Sequence, residues 1–92
     1  MISSFKSKAL KRLFETGEGR GLNAQHLEKI ELILAMLNAS DHIEGLDLPS
    51  FRLHMLSGDL KGFWAVTVRA NWRIIFRYID GEALDVDLID YH

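Results

Sequence analysis

An acid, a phenol and an imidazole occupy the last three positions of the chain, as Asp90, Tyr91 and His92. All three side chains can carry or transfer protons, and His54 adds an imidazole whose ordinary pKa of about 6.5 suits the same task. Arg73 adds a planar cation that matches the oxygen atoms of a phosphate group. Cleavage of RNA without a metal requires a base for the 2′-hydroxyl group, an acid for the leaving 5′-oxygen and a cation for the developing charge. These five residues supply a candidate for each role, with Arg69 as a further cation.

Other catalytic chemistries have little support in the sequence. The chain has no cysteine, and no serine lies in a GxSxG motif. The spacings HExxH, CxxC and HxH are absent, so we expect neither a metal nor a cofactor. The glycine-rich stretch "TGEGRG" lacks the Gly-Lys-Ser/Thr ending of a phosphate-binding P-loop and is interpreted as a turn. His26 and His42 are expected to be exposed to solvent.

Each candidate also has a purely structural interpretation. A histidine in a strand, such as His54, is more often structural than catalytic. Tyr91 could pack in the interior, with His92 as a frayed tail. Residue types alone leave these alternatives open.

The net charge of −2 conceals a basic region. Residues 52–77 contain five basic residues and one acid, Asp59, whereas the flanking stretches are acidic. Such a region can concentrate phosphate-bearing partners, although scattered surface cations would give the same count. The residues expected to contact RNA or phosphate here are Arg52, Lys61, Arg69, Asn71 and Arg77.

Hydrophobic periodicity predicts two helices in the N-terminal half. Apolar residues share one face over residues 6–15, and again over residues 23–38, where Asn23 is the predicted N-cap. The opening "MISSF" is a candidate short strand. A loop is predicted from residue 39 to residue 50, because acids, Gly45 and Pro49 interrupt the pattern.

Four strands are predicted in the C-terminal half, in "FRLHML", "FWAVTV", "WRIIFRYI" and "EALDVDLI". The dipeptide "DG" at Asp80 and Gly81 indicates a two-residue hairpin between the last two. Alternation places Arg52 with His54 on one face, and Arg73 with Arg77 on one face. The predicted fold is therefore α+β, with two N-terminal helices packed on one face of an antiparallel-rich sheet whose other face is open. An arginine row on an open face has two interpretations. It suits the binding of phosphate groups. Alternatively, the face is solvated, and the aliphatic stems of the arginines cover apolar surface.

Size and composition predict one domain spanning residues 1–92, because a chain of 92 residues supports a single compact core. The absence of cysteine suits a reducing cytoplasm. The sequence has neither an uninterrupted apolar signal segment nor an apolar run long enough to span a bilayer, so a cytoplasmic protein without membrane association is expected.

The stretch "HMLSGDLKGFWAVTVRANWRIIFRYIDGEALDVDLIDYH" closely resembles the C-terminal half of HigB-type toxins of the RelE superfamily. The shared features are a histidine on the first strand of this region, the "GFWAVTVRANWRI" core and "DYH" at the chain end. The opening "MISSFKSKALKRLFETG" is similar to the opening of that family, so the resemblance covers essentially the whole chain and implies a RelE-like fold.

The resemblance implies a metal-independent, ribosome-dependent endoribonuclease that cuts mRNA in the ribosomal A site and inhibits translation. It implies that His54 is an acid–base residue, Arg73 the transition-state cation, and Asp90, Tyr91 and His92 the terminal catalytic group. It further implies a HigA-type antitoxin as partner, with contact to operator DNA only through the toxin–antitoxin complex.

Two features of the motif qualify this picture. Asn71 and Trp72 occupy motif positions beside the site, whereas Ser57 stands where similar proteins often have a lysine, with Lys61 the nearest basic residue. Loss of that charge would weaken stabilisation of the scissile phosphate. A central last strand would hold the terminus beside His54 and Arg73.

Two other functions remain as alternatives. One is a non-catalytic interaction module or co-repressor that binds the antitoxin at its operator. The other is a general RNA-binding sheet, although the acidic net charge and the lack of a two-residue stacking platform disfavour it.

Overall fold

The computed structural model describes residues 1–91, and the candidate residue His92 lies outside the described residues. Two helices precede a four-stranded sheet, which confirms the predicted α+β class. The helices are α1 (Lys8–Thr16) and α2 (Leu27–Ala39), and the strands are β1 (His54–Met55), β2 (Trp64–Arg69), β3 (Trp72–Ile79) and β4 (Glu82–Asp90). Short 3₁₀ turns lie at Ala24–His26, Ile43–Leu46 and Gly58–Leu60.

Local capping explains where the helices begin and end. The Ser7 hydroxyl oxygen accepts a hydrogen bond from the Leu10 N–H at 3.1 Å, so α1 begins after Ser7 and not at residue 6 as predicted. Gly17 ends it in the left-handed region at φ +79°. Asn23 acts as a cap, as predicted, but the turn that it caps is the 3₁₀ segment that leads into α2.

The sheet is antiparallel throughout, in the order β1-β2-β3-β4. The Asp80–Gly81 hairpin is confirmed, with φ angles of +51° and +79° that match a type I′ turn. A central last strand is one way to hold the C-terminus, but β4 is the last strand in this order. The N-terminal segment lies along its outer edge through two isolated parallel bridges, Ile2 to Ala83 and Phe5 to Val86, in place of the predicted short strand.

The two faces of the sheet differ in their cover. The main core lies between the helices and one face. We call the face turned away from α1 and α2 the open face; a loop from Leu56 to Phe63 folds over part of it and packs on Ala65 and Ile75. The main core consists of buried residues from both helices and three strands, including Leu10, Ile30, Ile33, Leu37, Phe51, Val66, Ile74, Phe76 and Val86.

The first strand is much shorter than predicted. Phe51 is fully buried in the main core, and Arg52 adopts φ +49°, so the extended backbone begins only near His54. Strand alternation therefore does not apply to Arg52 and His54, and it gives no basis for their predicted placement on one face. Among residues 1–91, no helix has both the length and the apolar character needed to cross a bilayer.

Candidate active site on the open face of the sheet

Arg73 is held near the start of β3, in a row with Thr67 of β2 and Ile89 of β4. Its Nη1 group donates hydrogen bonds to the carbonyl oxygens of Ala70 and Trp72. Its Nε atom is buried and has no hydrogen-bond partner within residues 1–91. None of the ion pairs of the described chain includes Arg73. The guanidinium group is therefore anchored through one nitrogen and keeps donors for another group.

His54 lies on the same face, one row along, because it pairs with Ala65, which in turn pairs with Ile75. Its Nδ1 atom is 2.8 Å from the carbonyl oxygen of Arg52. A carbonyl oxygen only accepts hydrogen bonds, so in the neutral ring of this exposed residue Nδ1 carries the proton and Nε2 is available as a base. Sheet spacings place the Cα atoms of His54 and Arg73 about 12 Å apart, and no hydrogen bond joins the two side chains.

The C-terminal residues reach the same end of the sheet as Arg73. Asp90 is paired with Trp72, and the Tyr91 N–H donates to the Asn71 carbonyl oxygen at 2.8 Å. Tyr91 is 38% exposed, so its ring is not the interior packing residue of the structural interpretation. Predicted catalysis by His92 concerns a residue outside the described part of the chain.

We call the turn Ala70–Asn71, with the strand residues beside it, the Asn71 end of the sheet, and the turn Asp80–Gly81 with its neighbours the Gly81 end. Two of the five predicted RNA-binding residues lie at the Asn71 end. Arg69 and Asn71 are exposed at the Asn71 end, near Arg73.

Three other predicted contacts lie elsewhere. Arg52 precedes β1, and Lys61 lies in the loop between β1 and β2; both are exposed, and neither side chain has an ion pair within residues 1–91. Arg77 lies on the open face as predicted, but its Nε is 3.1 Å from Oδ2 of Asp85. A nearby carboxylate offsets the charge of Arg77, which makes it a weaker phosphate ligand than Arg73.

Thr67 is a residue that the sequence reasoning missed. Its Oγ1 atom is buried without a hydrogen-bond partner in the described chain, directly across from Arg73. Strand alternation could have placed it on the open face, because the pattern in "WAVTV" puts Thr67 on the same face as Ala65.

His26 was assigned to solvent, and that expectation was wrong. The residue is only 8% exposed, and its ring centroid lies 6.4 Å from that of Trp72. Both rings line a cavity of about 400 Å³ on the helix side of the sheet, together with Asn23 and Leu88. The helical spacing that continues through Ile30 and Ile33 already includes residue 26, which is why it turns inward. His42 is exposed, as expected.

The described residues contain no cluster of three His, Asp or Glu side chains positioned to bind a metal ion. The chemistry that this surface can perform with its own groups is proton transfer at His54 and stabilisation of an anion at Arg73.

Comparisons with known proteins agree with the fold. The curated relatives include "Endoribonuclease HigB" from Proteus vulgaris, which is 45% identical over 92 residues and covers 100% of both chains. "Toxin HigB-1" from Vibrio cholerae serotype O1 is 31% identical over 90 residues, 96% of this chain and 95% of the relative. Among solved structures, a YoeB–YefM complex from Staphylococcus aureus matches with a TM-score of 0.58 and 16% identity, covering 100% of this chain and 95% of the other.

A family model described as the RelE-like toxin of type II toxin–antitoxin system HigB matches residues 3–92. The match spans nearly the whole chain, and the fold is similar to that of the solved YoeB–YefM complex. The chain therefore belongs to the HigB-like toxin family.

Proposed function

We propose that this protein is an endoribonuclease that cleaves mRNA in the ribosomal A site and thereby inhibits translation. A relative of equal length is named as an endoribonuclease, which supports the general activity. The observation that carries the proposal is Arg73, a half-buried arginine on the open face that has no carboxylate partner within residues 1–91. It lies beside the Asn71 turn, whose carbonyl oxygen accepts a hydrogen bond from the Tyr91 N–H. A cation in that position would stabilise charge on a phosphate group.

The proposed reaction needs no group from outside the protein and the RNA. The 2′-oxygen loses its proton to a base and attacks phosphorus, the bond from phosphorus to the 5′-oxygen breaks, and an acid protonates that oxygen. The products are a 2′,3′-cyclic phosphate and a 5′-hydroxyl group. His54 provides one proton-transfer group through Nε2, and the terminal group of Asp90, Tyr91 and His92 provides the other.

The slightly negative net charge of the whole chain supports dependence on the ribosome. The whole chain carries a net charge of −2, and its cations are distributed over several loops and strands. Binding of free RNA depends strongly on the number of phosphates neutralised, so a small, slightly acidic protein holds naked RNA poorly. A ribosome would present the message in a fixed position and replace that missing affinity.

The family description also supports a protein partner. Members are toxins of type II toxin–antitoxin systems, so we propose that a HigA-type antitoxin binds this chain and that operator DNA is contacted only by the complex. A role solely as a co-repressor would leave the Arg73 Nε donor, which has no partner within residues 1–91, without a function.

The proposal is tested by producing the protein in a bacterial translation extract and mapping the 5′ ends of the message. Wild type is expected to generate discrete cuts that depend on translation, whereas Arg73→Ala, His54→Ala and removal of His92 each abolish them. Arg77→Ala is the matched control on the same strand. An intact message with folded wild-type protein would refute the nuclease function and favour the co-repressor.

A further inference from the structure

Two buried side-chain polar atoms lack a hydrogen-bond partner in residues 1–91, and they lie opposite each other. They are Oγ1 of Thr67 and Nε of Arg73, which are paired across β2 and β3 on the open face. Directly opposed residues have Cβ atoms only about 5 Å apart. A buried polar atom without a partner destabilises a protein, so two of them at one place indicate a site that another molecule completes.

Part of the guanidinium group of Arg73 makes no hydrogen bond within residues 1–91. Its Nη1 nitrogen is occupied by the carbonyl oxygens of Ala70 and Trp72. The Nε–H group and the neighbouring Nη2–H group form a separate edge with two parallel donors, which is the arrangement that binds an anionic oxygen pair.

We propose that Thr67 is a substrate-binding residue, whose hydroxyl group donates to a non-bridging oxygen of the scissile phosphate while the Nε/Nη2 edge of Arg73 binds the same phosphate. This inference rests on the proposed nuclease function. It assigns Thr67 a role that its position in the strand does not require, because valine has nearly the same shape, favours strands equally and carries no buried hydroxyl group.

A structural role and a substrate-binding role for the Thr67 hydroxyl group predict different effects of Thr67→Val on stability. A hydroxyl group that bonds within the protein would make Thr67→Val destabilising. A hydroxyl group reserved for substrate leaves an unpaired polar atom in the free protein, so its removal leaves the unfolding midpoint unchanged or raises it.

The experiment compares wild type, Thr67→Val and Thr67→Ser as purified proteins added to a translation extract, with cleavage rates measured at saturating and limiting message. Thr67→Val is expected to cleave about tenfold more slowly or worse, as for loss of a hydrogen bond to a charged group, without a lower unfolding midpoint. Thr67→Ser keeps the hydroxyl group and restores most of the rate. Thr16→Val is the matched control, since the Thr16 hydroxyl group donates to the Arg12 carbonyl oxygen in α1, away from the sheet.

A message with a phosphorothioate at the cleaved position provides a second measurement. Sulfur in place of the oxygen that Thr67 contacts should slow the wild type more than Thr67→Val, because the variant has already lost that contact. Equal slowing in both proteins, or a wild-type rate for Thr67→Val, would overturn the inference while leaving the nuclease function intact. Absence of cleavage by the wild type itself would instead remove the nuclease function and this inference together.

Discussion

At the Gly81 end of the sheet, polar groups are paired within the protein. Arg77 forms an ion pair with Asp85, and the Tyr78 hydroxyl group donates to the Ser40 carbonyl oxygen at 2.9 Å. The N-terminal ammonium group donates to the Gly81 carbonyl oxygen at 3.2 Å. These contacts join the N-terminal segment, the loop after α2 and the hairpin into one structural unit.

At the Asn71 end, two arginines and a threonine are less completely paired within residues 1–91. Arg69 has no ion pair in the part of the chain that the structure describes, and Arg73 and Thr67 each keep a buried polar atom without a hydrogen bond. Trp72 and Tyr91 are both 38% exposed.

The difference between the ends separates a structural role from a functional role for two arginines of the same strand and face. The sequence does not distinguish Arg73 from Arg77, because they are the same residue type and lie four positions apart in one strand, "WRIIFRY". The partners distinguish them: Asp85 offsets the charge of one, and the other is anchored by carbonyl oxygens that leave its charge available. Buried polar groups without hydrogen-bond partners are found most often at functional sites, and within residues 1–91 both such atoms lie at the Asn71 end.

The largest effect is expected from the two arginines themselves. Arg73→Ala should reduce the rate of mRNA cleavage by about 100-fold or more, as for removal of a donor to a developing oxyanion, whereas Arg77→Ala should retain nearly the full rate. Arg73→Lys should restore little, since lysine cannot reproduce the planar fork. Cleavage rates in a translation extract provide the measurement. Equal losses in Arg73→Ala and Arg77→Ala would show that the two ends do not differ in function.

The next effect concerns the proton-transfer group on the same face. His54→Gln should slow cleavage by roughly 100-fold, because general acid–base catalysis typically contributes that much or more. His42→Gln is the matched control, since His42 is exposed in the loop after α2. Circular dichroism spectra should be the same for all three proteins. A fully active His54→Gln variant would restrict the chemistry to the Asn71 end.

Much of this arrangement is predictable from the sequence. The helices follow from their apolar period, the Asp80–Gly81 turn from its dipeptide, and the shared face of Arg73 and Arg77 from alternation in a long strand. These features depend on neighbours within a few residues, so local patterns encode them.

The features that escaped prediction depend on distant contacts. The cover of the outer edge of β4 depends on the N-terminal segment, because Ile2 and Phe5 bridge to residues more than eighty positions away. The short first strand results from burial of Phe51 in the core, which draws the backbone out of extended geometry at Arg52. The unpaired atoms of Thr67 and Arg73 are defined by register across two strands, which no single stretch of sequence reveals.

The two hairpin turns offer a comparison of stability. Gly81 has φ +79°, and a Cβ atom there would lie 2.9 Å from the Asp41 carbonyl oxygen. Gly81→Ala should therefore lower the free energy of unfolding by about 1–2 kcal/mol or more. Ala70 occupies the left-handed region at φ +51°, so Ala70→Gly should relieve strain and change stability by less than about 1 kcal/mol. Urea unfolding measures both changes, and a destabilising Ala70→Gly with a neutral Gly81→Ala would reverse the assignment.

The smallest effect is a pH dependence confined to the Gly81 end. Burial raises the pKa of Tyr78 above its ordinary value of 10.0, and the negative charges of Asp41 and Glu44 raise it further. The folded state therefore favours the neutral phenol, which can donate to the Ser40 carbonyl oxygen. A raised pKa contributes stability that is fully present below pH 10 and is lost as the pH rises through the folded-state value.

Tyr78→Phe removes both the hydrogen bond and this titration. The variant should be less stable than wild type by about 1 kcal/mol at pH 7, the usual contribution of one hydrogen bond. Above pH 10 the difference should shrink, because the wild-type phenolate can no longer donate. Urea unfolding midpoints of both proteins at pH 7 and pH 11 provide the measurement, with Tyr91→Phe as the control at the Asn71 end. A difference between wild type and Tyr78→Phe that stays constant over this range would mean that the Tyr78 hydroxyl group does not stabilise the Gly81 end through its bond to Ser40.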